Sequence, residues 1–347
     1  MPDQWTVNQK ISLHLDYPLS EKQEKVASEV LECVTEGKNV LIHAVTGAGK
    51  TELVYYSMEY ILKKGGHVGF STPRKDVVID LLPRIKTAFP MAKCVAVYGQ
   101  HTSVLLGDII VLTTHQLYRY GNFFDLLILD EIDAFPYRGN TLLQNFFRKS
   151  IKGNYVLLSA TPSEEDISSI KKDNGKVVTL FERYHHSPLP VPEFIQTNPL
   201  TSYIVCSSYL RRFLKDKKPV FVFVPTIEEG KKLYAFLSVL NINGGFVSSK
   251  ENERKTDVQK FKEGKLSYLV TTSILERGVT VRNLQVIVFH SDSEIYNEST
   301  LVQIAGRVGR KIDASTGQVY FLGYEKNESI VKAINQIKKY NRKAGLS

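Results

Sequence analysis

Lys50 and Thr51 follow directly on Gly47 and Gly49 in the stretch VLIHAVTGAGKTEL, residues 40–53, and that spacing is suited to holding phosphate. A Gly-bearing turn that opens a helix aims backbone N–H groups and the positive helix end at one point, with no Cβ in the way of a triphosphate. There Lys50 would reach the β- and γ-phosphates, and the Thr51 hydroxyl would hold Mg²⁺. The pattern G-x-x-x-x-G-K-[ST] is met except at its first position, where Ala44 stands, still small enough for a tight approach. Thr46, Gly47, Ala48 and Gly49 complete the cradle, and ATP with Mg²⁺ is the expected cofactor set. A second group, Asp130-Glu131-Ile132-Asp133, ends an apolar run. Clustered carboxylates repel unless a cation or a reaction needs them, so Asp130 is assigned to the water shell of Mg²⁺ and Glu131 to orienting and deprotonating an attacking water. A third group is Arg307 and Arg310, three apart on one expected helical face, with Gly306 and Gly309 leaving room for close approach. Two guanidiniums together suit a phosphate or a carboxylate; the plainer alternative is an exposed basic helix face.

The elements that must position these groups alternate between strand and helix. Residues 40–43 read as a buried parallel strand, and Lys50 and Thr51 as the opening of a helix through Leu53, Val54 and Met58. Upstream, Ser20 caps a helix that carries Val26, Val30 and Leu31 inward and ends before Gly37. Gln23, one turn into it, either offers its amide to an adenine edge or is a solvated helix residue. Residues 10–15 read as a short strand, 67–71 as a strand ending in Thr72-Pro73-Arg74, and 92–98 as another. Residues 108–112 deliver Thr113-Thr114-His115-Gln116, and 154–158 end in Ser159-Ala160-Thr161-Pro162. In a doubly wound sheet, ligands bind beyond the carboxyl ends of the strands, so these tips share a face with the phosphate loop. Their hydroxyls and Arg74 could grip a nucleic-acid backbone, although each tip taken alone reads as an ordinary strand-to-helix cap. Ser159 and Thr161 either bond the carboxylate cluster and report on the γ-phosphate or are plain strand-end residues.

Residues 182–199 hold Pro188, Pro190, Pro192 and Pro199 without helical periodicity and read as the connection between a domain of residues 1–187 and one of 188–347. His185 and His186 have no third ligand near them in sequence, so a metal is not expected there. The second half repeats the alternation. Strands at 219–224, 244–249, 268–272, 286–289 and 317–324 end in polar tips that include Thr226, Thr272 and the Gly278–Thr280 segment. Gln303 and the two arginines lie on the helix that follows the fourth. An α/β fold of two parallel-sheet lobes results, with ATP in the cleft between them. One lobe brings loop, metal carboxylate and base, the other the arginines, so hydrolysis would be coupled to lobe closure.

Composition limits the alternatives. At 347 residues and 43% hydrophobic content the chain can bury two cores, and Lys+Arg 45 against Asp+Glu 36 suits a polyanionic partner. Cys33, Cys94 and Cys206 lie far apart, with no C-x-x-C pair, which indicates neither a disulfide framework nor a cysteine zinc site. No apolar run approaches the roughly 20 residues of a membrane span, and the N-terminus lacks a signal-peptide core, so a soluble, cytosolic protein is expected.

Taken in order, AVTGAGKT, STPR, TTHQ, DEID, SAT, VFVPT, TTSILERGVT and QIAGRVGR resemble the motif set of the superfamily 2 helicases and translocases, over roughly residues 20–310. That likeness implies two RecA-like lobes. Finer details, PRKDVVIDLLPR, LDEIDAFPY, ILERGVT and LVQIAGRVGR, resemble the bacterial late-competence ComFA ATPases, relatives of the primosomal helicase PriA. The resemblance implies a motor stimulated by single-stranded DNA that pulls transforming DNA inward with the ComEC channel and the partner ComFC. It would work in the cytoplasm or at the inner face of the cell membrane. Members usually carry an N-terminal four-cysteine zinc module; nothing before Cys33 could bind zinc, so zinc is not expected in this chain. Carried over motif by motif, Gln23 would read adenine, and Lys50, Thr51, Asp130 and Glu131 would bind and hydrolyse Mg·ATP. Arg307 and Arg310 would be arginine fingers with Gln303 beside them, and Gly278 and Thr280 would link nucleotide to DNA. Pro73, Arg74, Thr114, His115, Thr226 and Thr272 are the expected DNA contacts. An RNA helicase of the same superfamily, or a nucleotide-gated DNA clamp without translocation, are the competing functions.

Overall fold

The computed structural model describes residues 11–133, 137–248, 254–272 and 281–346. The chain divides into two compact units, one up to Tyr184 and one from His185 onward.

In the first unit seven strands form one sheet: β1 (Asn39–Ala44), β2 (Val68–Thr72), β3 (Cys94–Val97), β4 (Ile109–Thr113), β5 (Phe124–Asp130), β6 (Ile151–Ser159) and β7 (Gly175–Leu180). Their order is β3-β4-β2-β5-β6-β1-β7, and every pairing is parallel. The helices are α1 (Glu21–Thr35), α2 (Tyr55–Lys63), α3 (Lys75–Ala88), α4 (Thr141–Ser150) and α5 (Glu164–Lys172). The inner strands are buried on both faces, so β4 and the middle of β5 are continuous apolar runs. Ser20 caps α1 as expected: its hydroxyl accepts from the Gln23 N–H while the Gln23 side chain accepts from the Ser20 N–H.

At the margins of this sheet one expected strand is not formed and one strand appears that the sequence pattern does not predict. Residues 11–15 form no strand. They are tied to α2 and α3 instead, the Leu13 N–H donating to Glu59 Oε1 at 2.9 Å and the His14 N–H to the Ala88 carbonyl at 2.8 Å. The edge strand β7 is unanticipated because its exposure alternates and it carries Lys176, the ordinary dress of an edge.

The second unit holds β8 (Glu193–Gln196), β9 (Val220–Phe223), β10 (Gly244–Val247), β11 (Tyr268–Thr271), β12 (Gln285–Val288) and β13 (Val319–Gly323), ordered β10-β11-β9-β12-β13-β8 and again all parallel. Its helices are α6 (Ser202–Lys215), α7 (Ile227–Val239), α8 (Arg254–Lys262), α9 (Glu298–Ala305) and α10 (Glu328–Ala344). The stretch expected to be pure connection thus contributes a strand: Glu193–Gln196 pairs with β13, entered behind Pro192, which an edge tolerates. Ahead of it Asn341 of α10 straps the chain down, accepting from the Leu189 N–H at 2.8 Å and donating to the Leu189 carbonyl at 2.9 Å. Among the described residues no helix is long and apolar enough to cross a membrane.

Candidate functional site

The phosphate loop leaves β1 at Ala44, which is fully buried, so the methyl group standing where the usual pattern has glycine is accommodated by the core. Gly47 and Gly49 have φ of +83° and +77°, backbone conformations that side chains with a Cβ rarely adopt. One detail corrects the sequence reading. Lys50 and Thr51 lie in a turn, a 3₁₀ turn covers Glu52–Val54, and α2 begins only at Tyr55. The Gly49 carbonyl accepts from both the Glu52 N–H (3.1 Å) and the Leu53 N–H (3.3 Å), so the first turn is wound tighter than an α-helix. The loop fits a triphosphate: both left-handed positions are glycine, and the Thr46 hydroxyl oxygen is buried with no hydrogen-bond partner among the described residues. Thr51 and Asp130 offer the oxygen donors that Mg²⁺ takes alongside substrate phosphate and water.

Gln23 is 6% exposed and packs on this loop. Its Nε2 donates to the Ala48 carbonyl at 2.9 Å and its Oε1 accepts from the Ser20 N–H at 2.9 Å, which leaves the amide one hydrogen and one lone pair. On its other side the loop meets a segment that sequence reasoning assigned to the connection. The Val45 N–H donates to the Leu180 carbonyl (3.1 Å) and the Tyr184 N–H to the Gly47 carbonyl (3.3 Å). Between them Arg183, 1% exposed, lies with Nε 3.6 Å from where a Cβ on Gly47 would sit, and Glu182 pairs with Lys22 of α1. The signal was present: the largely apolar run VVTLF, residues 177–181, ends in Glu182 and Arg183, as an apolar run does at Asp130 and Glu131.

Strand order brings the other groups together. β6 lies between β1 and β5, with Ser159 beside His43 on one side and Leu158 beside Asp130 on the other. Asp130 Oδ1 accepts from the Glu131 N–H at 2.8 Å, and Glu131 itself has φ +59°. Asp133, 8% exposed, accepts from Ser159 Oγ and Thr161 Oγ1, both at 3.0 Å. Sequence reasoning gave Asp133 no role of its own, yet it is the carboxylate that the two hydroxyls grip.

The tips expected to meet nucleic acid divide by burial. Arg74, the N-cap residue of α3, is half-buried and His115 is exposed. Pro73 is buried and Thr114 wholly so, its hydroxyl accepting from Ser71 Oγ at 3.3 Å. In the second unit Thr226 is exposed and caps α7, accepting from the Glu229 N–H at 3.1 Å, and Thr272 is half-buried. Gly278 and Thr280 lie outside the described residues. The shared helical face expected for the arginines is not formed: α9 ends at Ala305, Arg307 lies in a turn that ends at Gly309 with φ +69°, and Arg310 follows outside it. Arg307 is 2% exposed and Gln303 5%, while Arg310 Nε donates to the Gly306 carbonyl at 3.0 Å.

Comparison with known proteins agrees with this architecture. Residues 21–170 match the family model "DEAD/DEAH box helicase", and 205–311 match "Helicase conserved C-terminal domain". A structure of S. cerevisiae Dbp5 bound to RNA and ADP BeF3 superposes with a TM-score of 0.69 at 16% identity, covering 93% of this chain and 91% of that one. Two RecA-like lobes with these motifs define an ATPase of the helicase class. Two relatives are nearer in sequence. Competence protein ComFA of Bacillus subtilis is 38% identical over 346 residues, covering 96% of this chain and 74% of that protein. ComFA of Streptococcus pneumoniae is 36% identical over 335 residues, covering 93% and 77%. The chain belongs to the ComFA family.

Proposed function

We propose that this protein is a DNA-dependent ATPase that moves along single-stranded DNA and thereby drives transforming DNA inward during competence. The observation that carries the proposal is the alignment of phosphate loop, Ser159–Thr161 and Asp130–Glu131 at the carboxyl ends of three neighbouring strands, β1, β6 and β5.

Bound at the loop, Mg·ATP supplies an electrophilic γ-phosphorus and the free energy for motion. Lys50 and the loop from Thr46 to Gly49 hold the phosphates, Gln23 lies toward the base, and Thr51 and Asp130 hold the metal. Glu131 orients the attacking water and accepts its proton at a carboxylate oxygen. Arg307 and Arg310, with Gln303, are assigned to neutralising charge on the transferring group, and Gly278 and Thr280 to linking nucleotide to DNA. Ser159 and Thr161 transmit the state of the site through Asp133. Arg74, His115, Thr226 and Thr272 grip the DNA backbone, which fits the excess of Lys and Arg over acidic residues. By family likeness the ComEC channel and ComFC are the partners, at the inner face of the membrane.

Phosphate release measured with single-stranded DNA, duplex DNA and RNA tests the proposal, with the largest stimulation expected from single-stranded DNA. Stimulation by RNA alone would make it an RNA helicase. Failure to strip streptavidin from a biotinylated strand, with ATP turnover intact, would reduce it to a clamp.

A further inference from the structure

Beyond β3, at the edge of the first sheet, the chain makes a tight turn that brings two rings together. The Tyr98 N–H donates to the His101 carbonyl at 3.3 Å and the His101 N–H to the Tyr98 carbonyl at 2.8 Å, closing the turn around Gly99 at φ +50°. The rings of Tyr98 and His101 stack with centroids 4.9 Å apart and planes 16° from parallel. Lys75, the first residue of α3, reaches over with Nζ 5.2 Å from the Tyr98 centroid. His101 and Lys75 are exposed and Tyr98 is half-buried. Neither ring belongs to the core cluster, which beneath this edge is built by Val95 and Val97 of β3 and Ile110 and Leu112 of β4.

We infer that the Tyr98–His101 stack is a base-stacking platform for single-stranded DNA at the outer edge of the first unit, with Lys75, Arg74 and His115 taking the adjoining phosphates. The strand order β3-β4-β2 places the tips that carry these residues side by side: His101 after β3, His115 after β4, Arg74 and Lys75 after β2. Every nucleobase has a π-face, so such a platform is indifferent to sequence. An incoming base continues the stack on the outer face of His101. Reciprocal backbone hydrogen bonds hold the turn, and Tyr98 backs the imidazole, so little ordering is left for binding to cost. The backbone contacts already assigned fix the strand's path; this site adds a grip that depends on bases being present. The inference rests on the single-stranded-DNA reading above.

The experiment compares oligo(dT) with an abasic oligonucleotide of equal length by fluorescence anisotropy on the full chain. The phosphates are the same and the bases are missing. Wild-type protein should prefer oligo(dT), and His101→Ala should weaken oligo(dT) binding by about five- to tenfold while barely altering the abasic ligand. His101→Phe should restore the preference, and Tyr98→Leu should lower it as His101→Ala does. The slope of log K against log salt should stay the same in all variants, since no phosphate contact is removed. Equal losses on both ligands, or none, overturn the platform and leave the motor reading standing. If wild-type protein binds neither ligand, the motor reading falls and the platform with it.

Discussion

Gln23 Nε2 donates to the Ala48 carbonyl at 2.9 Å, so the first helix is latched to the crest of the phosphate loop. The same amide closes the capping box with Ser20, and one side chain therefore does two separable things. Gln23→Glu keeps an acceptor for the Ser20 N–H but faces the Ala48 carbonyl with a carboxylate; Gln23→Ala removes both bonds. Each variant should lose about 1–3 kcal/mol, seen as a drop of a few degrees in thermal midpoint. In both variants the loss should come with weaker ATP binding, because both release the loop. An unchanged midpoint in both variants would show that the latch carries no weight.

Glu131 is held at φ +59°, where a residue with a Cβ is strained by about 1–2 kcal/mol. Glycine carries no such penalty. Glu131→Gly should therefore raise the thermal midpoint even as it removes the proposed base, whereas Glu131→Gln should leave stability nearly unchanged and cut turnover by about 10²-fold or more. Calorimetry alongside phosphate release checks both halves. A lower midpoint for the glycine variant would mean that the conformation is not strained.

How much of this was readable from sequence depended on where each residue lies. β1 and β5 stand inside the sheet, so their apolar runs and the chemistry at their ends were plain. β7 and β8 are edges, and their half-exposed patterns look like loop, so Arg183, just past β7, does not stand out in the sequence. Spacing also could not say which tip residue turns inward: Thr114 does and His115 does not. At Arg307 the misreading has a local cause. Gly306 reads in sequence as room for close approach on a continuing helix, but it is the residue on which α9 stops.

The three thiols should be unreactive in the folded protein. Burial pushes Cys206 up to about 12 and Cys94 to about 11, and raises Cys33 as well, from an ordinary value of 9.0. A thiol whose pKa is higher folded than unfolded leaves stability untouched below the unfolded value. Above it the unfolded chain loses protons first, and stability falls as pH climbs toward the folded values. Iodoacetamide at pH 8 should label native protein slowly and denaturant-unfolded protein at all three positions, with the denaturation midpoint flat to about pH 9 and declining above it. Rapid native labelling, followed by mass spectrometry of the peptides, would identify a thiol less shielded than these.

Arg310 and Arg307 should separate under mutation although both are assigned to the same chemistry. Arg310 is half-buried and ties Nε to the Gly306 carbonyl, while Arg307 is 2% exposed. Removing a buried guanidinium disturbs everything packed and bonded around it, so Arg307→Ala should lower both stability and turnover. Arg310→Ala should spare stability and lower kcat on the order of 10³-fold, with ATP affinity changed far less, since a finger acts mainly on charge that develops during transfer. Arg310→Lys keeps the charge but loses the planar fork and should recover only part of the rate. Phosphate release, titration with a fluorescent ATP analogue and thermal midpoints on the same preparations supply the three readouts. Full turnover in Arg310→Ala would remove it from the catalytic set.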